Sequence, residues 1–90
     1  MEIPGSIRWQ SRRGMKELDL MLEPFVTEDL PELDEKVLAD YAELLKCSDL
    51  QLLHFFNGVE QAPTSQLRGI VDLIKSCHQK HRQSGASGGL

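Results

Sequence analysis

The chain has 90 residues, of which 40% are apolar and 27% are charged, and its formal net charge is −4 at pH 7. This length allows one small domain, whose core is too limited for a deep catalytic cavity. The acidic balance argues against a general binder of nucleic acid or of anionic membranes, because both partners favour a basic surface. Helix-forming residues outnumber β-branched ones, which predicts an all-α fold.

Several classes of protein are disfavoured by features that the sequence lacks. The two cysteines, Cys47 and Cys77, do not make a disulfide framework. No apolar run approaches the roughly 18–20 residues that span a bilayer. The N-terminal segment resembles neither a signal peptide nor an organelle import leader. We therefore expect a cytoplasmic protein with reduced thiols and no membrane insertion.

A short first helix is predicted over about residues 6–13. Ser6 is placed to cap its N-terminus, because a serine side chain can accept a hydrogen bond from a free amide of the first turn. Trp9 is the one large apolar side chain of this helix and is expected to anchor it. Gly14 is a natural C-terminal stop, since glycine tolerates the left-handed backbone that ends many helices.

A second helix is predicted over about residues 15–25, and an acidic link over residues 27–32 follows it. The apolar side chains of this helix are spaced three and four residues apart, which makes one stripe. The stripe consists of Met15, Leu18, Met21, Leu22 and Phe25. Pro24 is expected to kink the helix or to end it, because proline has no amide proton and clashes with the preceding turn.

Three more helices are predicted over about residues 34–46, 48–57 and 65–81. Each begins at a side chain that can cap the free amides of the first turn. These N-cap residues are Asp34, Ser48 and Thr64. The second of them belongs to a capping box with Gln51, and Asn57-Gly58 is a stop signal for the same helix.

Short links between amphipathic helices favour a compact antiparallel bundle of five helices. This bundle is predicted to form a single domain over residues 1–82, and the sequence shows no internal repeat. Residues 83–90 are rich in glycine and serine, so they are predicted to form a disordered tail.

Patterns typical of catalysis or metal binding are weak. Cys77 and His81 lie four residues apart and would share a helix face, but the spacing of Cys47 and His54 does not complete a zinc site. Cys77 also continues the apolar stripe of its helix, so a buried structural cysteine is the simpler interpretation. No nucleophile elbow, dinucleotide fingerprint or phosphate loop is present. We therefore predict no metal site and no catalytic residue.

Two interpretations outside catalysis stay open at this point. A small DNA-binding regulator could use the face of the last helix that contains Gln66, Arg68 and Lys75, and its binding would weaken steeply with salt. A generic protein-interaction module, for example an antitoxin-like protein, would bind some other protein surface. The acidic total disfavours the first of these alternatives.

The densest polar chemistry lies in residues 12–19, which contain three cations, one glycine and two carboxylates within eight residues. A surface ion pair between Arg13 and Glu17 would contribute only about 0.3–0.5 kcal/mol. Gly14 would cost a helix about as much as this pair gains, roughly 0.5–1 kcal/mol. Arginine can instead grip carboxylates or carbonyl groups of a partner, and glycine lets another backbone approach closely. These residue types predict a protein interface rather than a catalytic site.

The same segment resembles the R-G-x-x-E motif of the bacterial FAD assembly factors of succinate dehydrogenase (the SdhE type), here Arg13, Gly14 and Glu17. The resemblance extends through Trp9-x-x-Arg12-Arg13-Gly14-Met15-Lys16-Glu17-Leu18-Asp19 and covers about residues 7–82. One departure is Phe55, which stands where the family has a tryptophan.

The resemblance implies a five-helix protein with no catalytic activity of its own. Members of this family help to attach FAD covalently to the flavoprotein subunit of succinate dehydrogenase, and in some bacteria to that of fumarate reductase. The factor would hold no cofactor stably, because FAD ends on the partner. The implied partner-binding residues are Arg13, Gly14, Met15, Lys16, Glu17 and Asp19, with Arg8 and Trp9 beside them. A monomer that does not bind nucleic acid is expected.

Overall fold

The computed structural model describes the backbone of residues 1–88 and the side chains of residues 1–81. Every regular element of that backbone is helical, which confirms the predicted all-α class. The five α-helices are α1 (Gly5–Gln10), α2 (Lys16–Pro24), α3 (Glu35–Leu44), α4 (Asp49–Phe56) and α5 (Ser65–Gly88). A π-helical segment (Phe25–Asp29) and a 3₁₀ turn (Leu30–Glu32) connect α2 to α3.

The predicted N-caps of the last three helices are confirmed. The carboxylate of Asp34 accepts a hydrogen bond from the Val37 amide at 3.0 Å. Ser48 and Gln51 exchange both hydrogen bonds of a capping box at the start of α4. The hydroxyl of Thr64 accepts a bond of 3.1 Å from an amide in the first turn of α5. Each cap satisfies an amide that has no partner within its helix.

Helix α1 is shorter than predicted, and its N-cap is different. Its first turn is closed by the carbonyl of Pro4, which accepts hydrogen bonds from the amides of Ile7 and Arg8 at 3.1 and 3.2 Å. Pro4 is therefore the N-cap, and the prediction of Ser6 is wrong. The helix ends at Gln10 instead of Arg13, which leaves residues 11–15 as a loop before α2.

The prediction that Trp9 anchors α1 is wrong, because its side chain is 68% exposed. The residues of this segment that face inward are Ile3, Ile7 and Ser11, which are spaced four apart. Since residues four apart share a helix face, Trp9 lies on the opposite side and points away from the core.

Helix α2 ends at Pro24 as predicted, but residues 27–32 are helical rather than a simple link. Proline has no amide to donate to the preceding turn, and the backbone passes from α to π geometry directly after it. Phe25, Val26 and Leu30 are buried, so tertiary packing holds this acidic segment in a helical path.

The core is built around α5, which packs against α2, α3, α4 and the π segment. The α-helices and the segment that connects α2 to α3 supply its largest fully buried side chains. These are Tyr41, Phe25, Leu18, Leu22, Leu30, Leu44, Leu52 and Ile74. The rings of Phe25 and Tyr41 lie at the centre with centroids 5.2 Å apart.

The start of α5 agrees with its prediction, but its backbone continues as a helix to Gly88, beyond the predicted end at His81. The first part of the predicted tail is therefore helical in its backbone, and residues 89 and 90 lie outside the described residues. Within the described part of the chain, no helix combines the length and the apolar character needed to cross a membrane.

Cys77 and His81 do share a face of α5, and that face packs on the π segment. The Nε2 atom of His81 lies 2.8 Å from the carboxylate of Asp29, and its Nδ1 atom lies 3.6 Å from that of Glu28. Cys47 and Cys77 are both half-buried free thiols, and burial raises the pKa of each. Both cysteines pack against the core as structural residues.

Candidate functional site

The motif residues lie in the α1–α2 loop (residues 11–15) and in the first turn of α2. They divide into an exposed set and a half-buried set. The exposed residues are Arg12, Gly14, Lys16 and Glu17. The half-buried residues are Arg13, Met15 and Asp19. The exposed residues of the motif therefore form a surface, and the half-buried residues support that surface from below. Arg8 and Trp9 are exposed on the neighbouring α1.

Arg13 is the main support, since only 15% of its side chain is exposed. Its Nε donates to the carboxylate of Asp49 at 2.7 Å. Its Nη1 donates to the carbonyls of Gln10 and Leu45 at 3.1 Å each, and its Nη2 donates to the carbonyl of Cys47 at 2.8 Å. All three nitrogen atoms thus bind within the fold. We call this set of contacts the Arg13 clamp; it joins the end of α1 to the α3–α4 junction.

The backbone around Gly14 is fixed from a second side. The amide of Arg13 donates to the carboxylate of Asp19 on α2 at 2.9 Å. Gly14 follows with φ of +84°, a left-handed conformation that a side chain would strain. A Cβ atom placed on Gly14 would meet nothing within 4 Å. The exposed backbone of Gly14 is therefore held in place with open space in front of it.

A buried pair of hydroxyl groups supports the start of the loop. Ser11, which is 1% exposed, donates its hydroxyl proton to the carbonyl of Ile7 at 2.7 Å. The hydroxyl of Tyr41 lies 2.7 Å from the same Ser11 oxygen and is left to act as its donor. Burial raises the pKa of Tyr41 to about 12, although the bond to Ser11 acts in the opposite direction.

Tyr41 is expected to titrate near pH 12 in the folded protein and near 10 in the unfolded chain. The folded state holds this proton more tightly than the unfolded chain does. The contribution of the protonated Tyr41 to the free energy of unfolding is therefore complete below about pH 10 and is lost between about pH 10 and 12. Phenolate absorbance reads this group alone, because the chain has one tyrosine. In Tyr41→Phe the free energy of unfolding should fall less steeply over that range. Equal slopes in the two proteins would contradict this assignment.

Two grooves flank the exposed ring of Trp9. One of about 460 Å³ extends toward α2 and the π segment and is lined by Arg8, Trp9, Ser11, Arg12, Glu23, Val26 and Thr27. The other, of about 440 Å³, extends toward the start of α4 and is lined by Ser6, Trp9, Gln10, Arg12, Arg13 and Asp49. Exposed aromatic and arginine side chains beside a concave surface are typical of protein interfaces.

The face of α5 considered above for DNA binding is largely occupied by hydrogen bonds within the protein. The side-chain nitrogen Nε2 of Gln66 donates to the carboxylate of Asp40 at 2.7 Å, and Arg68 Nη1 donates to the carbonyl of Ala62 at 3.0 Å. Two of the three side chains that this alternative requires are thus committed to internal contacts. The geometry of α5 disfavours the DNA-binding interpretation.

The motif was predictable from the sequence, but the contacts that hold Arg13 and Ser11 in place were not. Arg13 pairs with Asp49 rather than with Glu17, and that partner lies 36 residues along the chain. The only local signal was the capping box at Ser48, which placed Asp49 in the first turn of α4. No sequence pattern indicated the hydrogen bond between Ser11 and Tyr41, because these residues lie 30 positions apart.

Comparison with known proteins gives a consistent result. A family model described as the flavinator of succinate dehydrogenase matches residues 6–78, which include the whole motif. The FAD assembly factor SdhE of Mannheimia succiniciproducens is 40% identical over 68 residues, which cover 76% of this chain and 79% of the relative. The factor of the same name from Pseudomonas aeruginosa is 41% identical over 66 residues, or 73% of this chain and 79% of the relative.

A more distant relative extends the agreement. The FAD assembly factor SdhE of Legionella pneumophila strain Paris is 38% identical over 69 residues, which cover 77% of this chain and 86% of the relative. The match to the family model runs from α1 into α5 and includes α2, α3 and α4. These matches confirm the resemblance found in the sequence, and the chain belongs to the family of flavinators of succinate dehydrogenase.

Proposed function

We propose that this protein binds the flavoprotein subunit of succinate dehydrogenase and promotes the covalent attachment of FAD to it. Family membership supports this role. The observation that carries it is the exposed backbone of Gly14, which is fixed at φ +84° with no obstruction in front. Lys16 and Glu17 are exposed beside it and supply charges of both signs. A partner backbone can approach Gly14 closely while these charges set its register.

The proposed mechanism is alignment rather than chemistry. The factor binds a conformation of the flavoprotein in which FAD and the attacking side chain are in attack geometry, and holding reactants in this way can lower a barrier by several kcal/mol. It can favour that conformation only by its differential affinity for it. The factor contributes no catalytic side chain and keeps no FAD.

We further propose that the factor acts as a monomer in the cytoplasm. The flavoprotein subunit of fumarate reductase is proposed as a second client, which the same surface would bind. Substituting that subunit in the assay described next tests this extension directly.

The proposal predicts that Gly14→Arg abolishes flavinylation in a folded protein. The new side chain would occupy the space that the partner backbone needs. The variant and the wild type are each co-expressed with the flavoprotein subunit in cells that lack their own factor. Covalent flavin is then read as fluorescence of the denatured subunit in a gel. We expect fluorescence with the wild type and none above background with Gly14→Arg.

Gly58→Arg is the matched control for this experiment. Gly58 also has a positive φ, +75°, and a Cβ atom there would likewise meet nothing within 4 Å. Arginine at either position therefore carries the same backbone strain, about 1–2 kcal/mol. Gly58 follows α4 at the end opposite Asp49, away from the motif. We expect Gly58→Arg to support flavinylation like the wild type.

The two glycine variants separate an interface from a structural requirement. If both lose flavinylation and stability equally, Gly14 serves the fold, and the proposed interface loses its centre. If the folded wild-type chain restores no fluorescence at all, the flavinylation role itself is refuted.

A further inference from the structure

We infer that Asp49 is a positioning residue for the partner interface, acting through Arg13 to hold the exposed backbone of Gly14. This inference rests on the proposed function, and it assigns a role to a side chain outside the motif. Asp49 is the first residue of α4, whereas the surface that it would organise belongs to the α1–α2 loop. The two are connected by the Arg13 clamp.

Asp49 makes the strongest single contact of the clamp. Its carboxylate accepts from Arg13 Nε at 2.7 Å, and it is the only ionised group among the acceptors of that guanidinium within the described side chains. Charged hydrogen bonds are roughly twice as strong as neutral ones. Its position is also rigid, because the Ser48–Gln51 capping box fixes the first turn of α4. A negative side chain is itself favoured at this end of a helix.

The restraint is transmitted from Arg13 to its neighbour through one peptide bond. The side chain of Arg13 is held by α4, while its amide is held by Asp19 on α2 at 2.9 Å. With both ends of the residue fixed, the following Gly14 has little freedom to leave its left-handed conformation. If the bond to Asp49 is lost, the loop keeps only carbonyl acceptors for the guanidinium, and the Gly14 surface becomes less ordered.

A second interpretation is that Asp49 touches the partner directly. Its side chain is 40% exposed and lines one of the two grooves beside Trp9. A double-mutant cycle distinguishes the two, because residues that act through one another have non-additive effects. The cycle consists of the wild type, Asp49→Asn, Arg13→Gln and the double variant.

The dissociation constant of each protein for the purified flavoprotein subunit is measured by titration. The rate of flavin attachment is measured separately at a saturating concentration of factor. We expect Asp49→Asn to raise the dissociation constant about tenfold, as the loss of one charged hydrogen bond would do. The rate at saturation should be unchanged, since the reacting groups belong to the partner. In the Arg13→Gln background, Asp49→Asn should not raise the dissociation constant any further.

Asp40→Asn is a matched control for lost stability. Asp40 is less exposed than Asp49, with 13% of its side chain accessible, and it binds Lys36 and Gln66 at 3.0 and 2.7 Å. Its substitution removes comparable hydrogen bonds on α3 without involving the loop. We expect it to lower the melting temperature and to leave the dissociation constant unchanged.

A measurement without the partner keeps the inference testable if binding is weak. Hydrogen exchange of the Arg13 amide, which donates to Asp19, should become faster in Asp49→Asn than in Asp40→Asn at equal global stability. Unchanged exchange, additive effects in the cycle or an equal loss of affinity in Asp40→Asn would each overturn the inference. A folded wild-type chain that does not bind the flavoprotein would instead refute the proposed function, and with it this role of Asp49.

Discussion

Arg13→Ala is expected to lower the free energy of unfolding by about 2–4 kcal/mol and to abolish flavinylation. Removing one partner of a buried ion pair costs about 3–5 kcal/mol, but Asp49 is 40% exposed, so water screens part of the remaining charge. The carbonyls of Leu45 and Cys47 also lose their donor. Chemical denaturation measures the stability, and flavin fluorescence of the co-expressed subunit measures the function.

Two variants show whether the expected loss belongs to the clamp. Arg13→Lys keeps the charge but has one nitrogen in place of a planar fork, so it should recover only part of the stability. Arg12→Ala removes the neighbouring cation, whose side chain is 78% exposed and whose pair with Glu23 is 3.4 Å long. That change should stay within about 0.5 kcal/mol of the wild type. An Arg13→Ala protein as stable as Arg12→Ala would contradict the structural role of the clamp.

Phe25→Ala is expected to lower the free energy of unfolding by about 3–5 kcal/mol. The side chain is 1% exposed and packs against the Tyr41 ring at a tilt of 53°, so its removal leaves a cavity in the core. Domains of this size have a total stability of roughly 5–15 kcal/mol, so a large part of it would be lost. Thermal unfolding followed by circular dichroism should show a melting temperature lower by more than about 10 °C.

Leu20→Ala is the control for the loss of a large apolar side chain from the same region. Leu20 is 56% exposed on α2, so its removal leaves no cavity and should change the stability by less than about 0.5 kcal/mol. If Phe25→Ala unfolds no earlier than Leu20→Ala, the π segment does not pack into the core as described.

The parts of the fold that were predictable are those encoded by neighbouring residues. The caps at Asp34, Ser48 and Thr64 bind amides three residues away, so the sequence pattern contains both partners of each bond. The apolar stripe of α2 is likewise local, because it repeats over several turns. Gly14 has the left-handed backbone expected of it, with φ of +84°, but it lies in the α1–α2 loop and does not end α1, whose last residue is Gln10.

The features that could not be predicted depend on distant partners or on very short elements. Helix α1 has six residues, less than two turns, so its periodicity could not show which way Trp9 points. The acceptors of Arg13 at the α3–α4 junction and at the start of α4 lie 32 to 36 residues away, and only the folded chain brings them together. From the sequence alone, Glu17 was the visible local partner. The partner contacts assigned to the motif stay a prediction.

The long separation between Arg13 and its acceptors has a consequence for newly made copies of the protein. Contacts between residues 32 to 36 positions apart form only when the intervening chain has folded, because loop closure must be offset by packing. A nascent or partly unfolded chain, in which α3 and α4 have not docked, therefore lacks the fixed Gly14 backbone. Under the proposed function, unfolded or partly folded copies would therefore bind the flavoprotein subunit more weakly than folded copies.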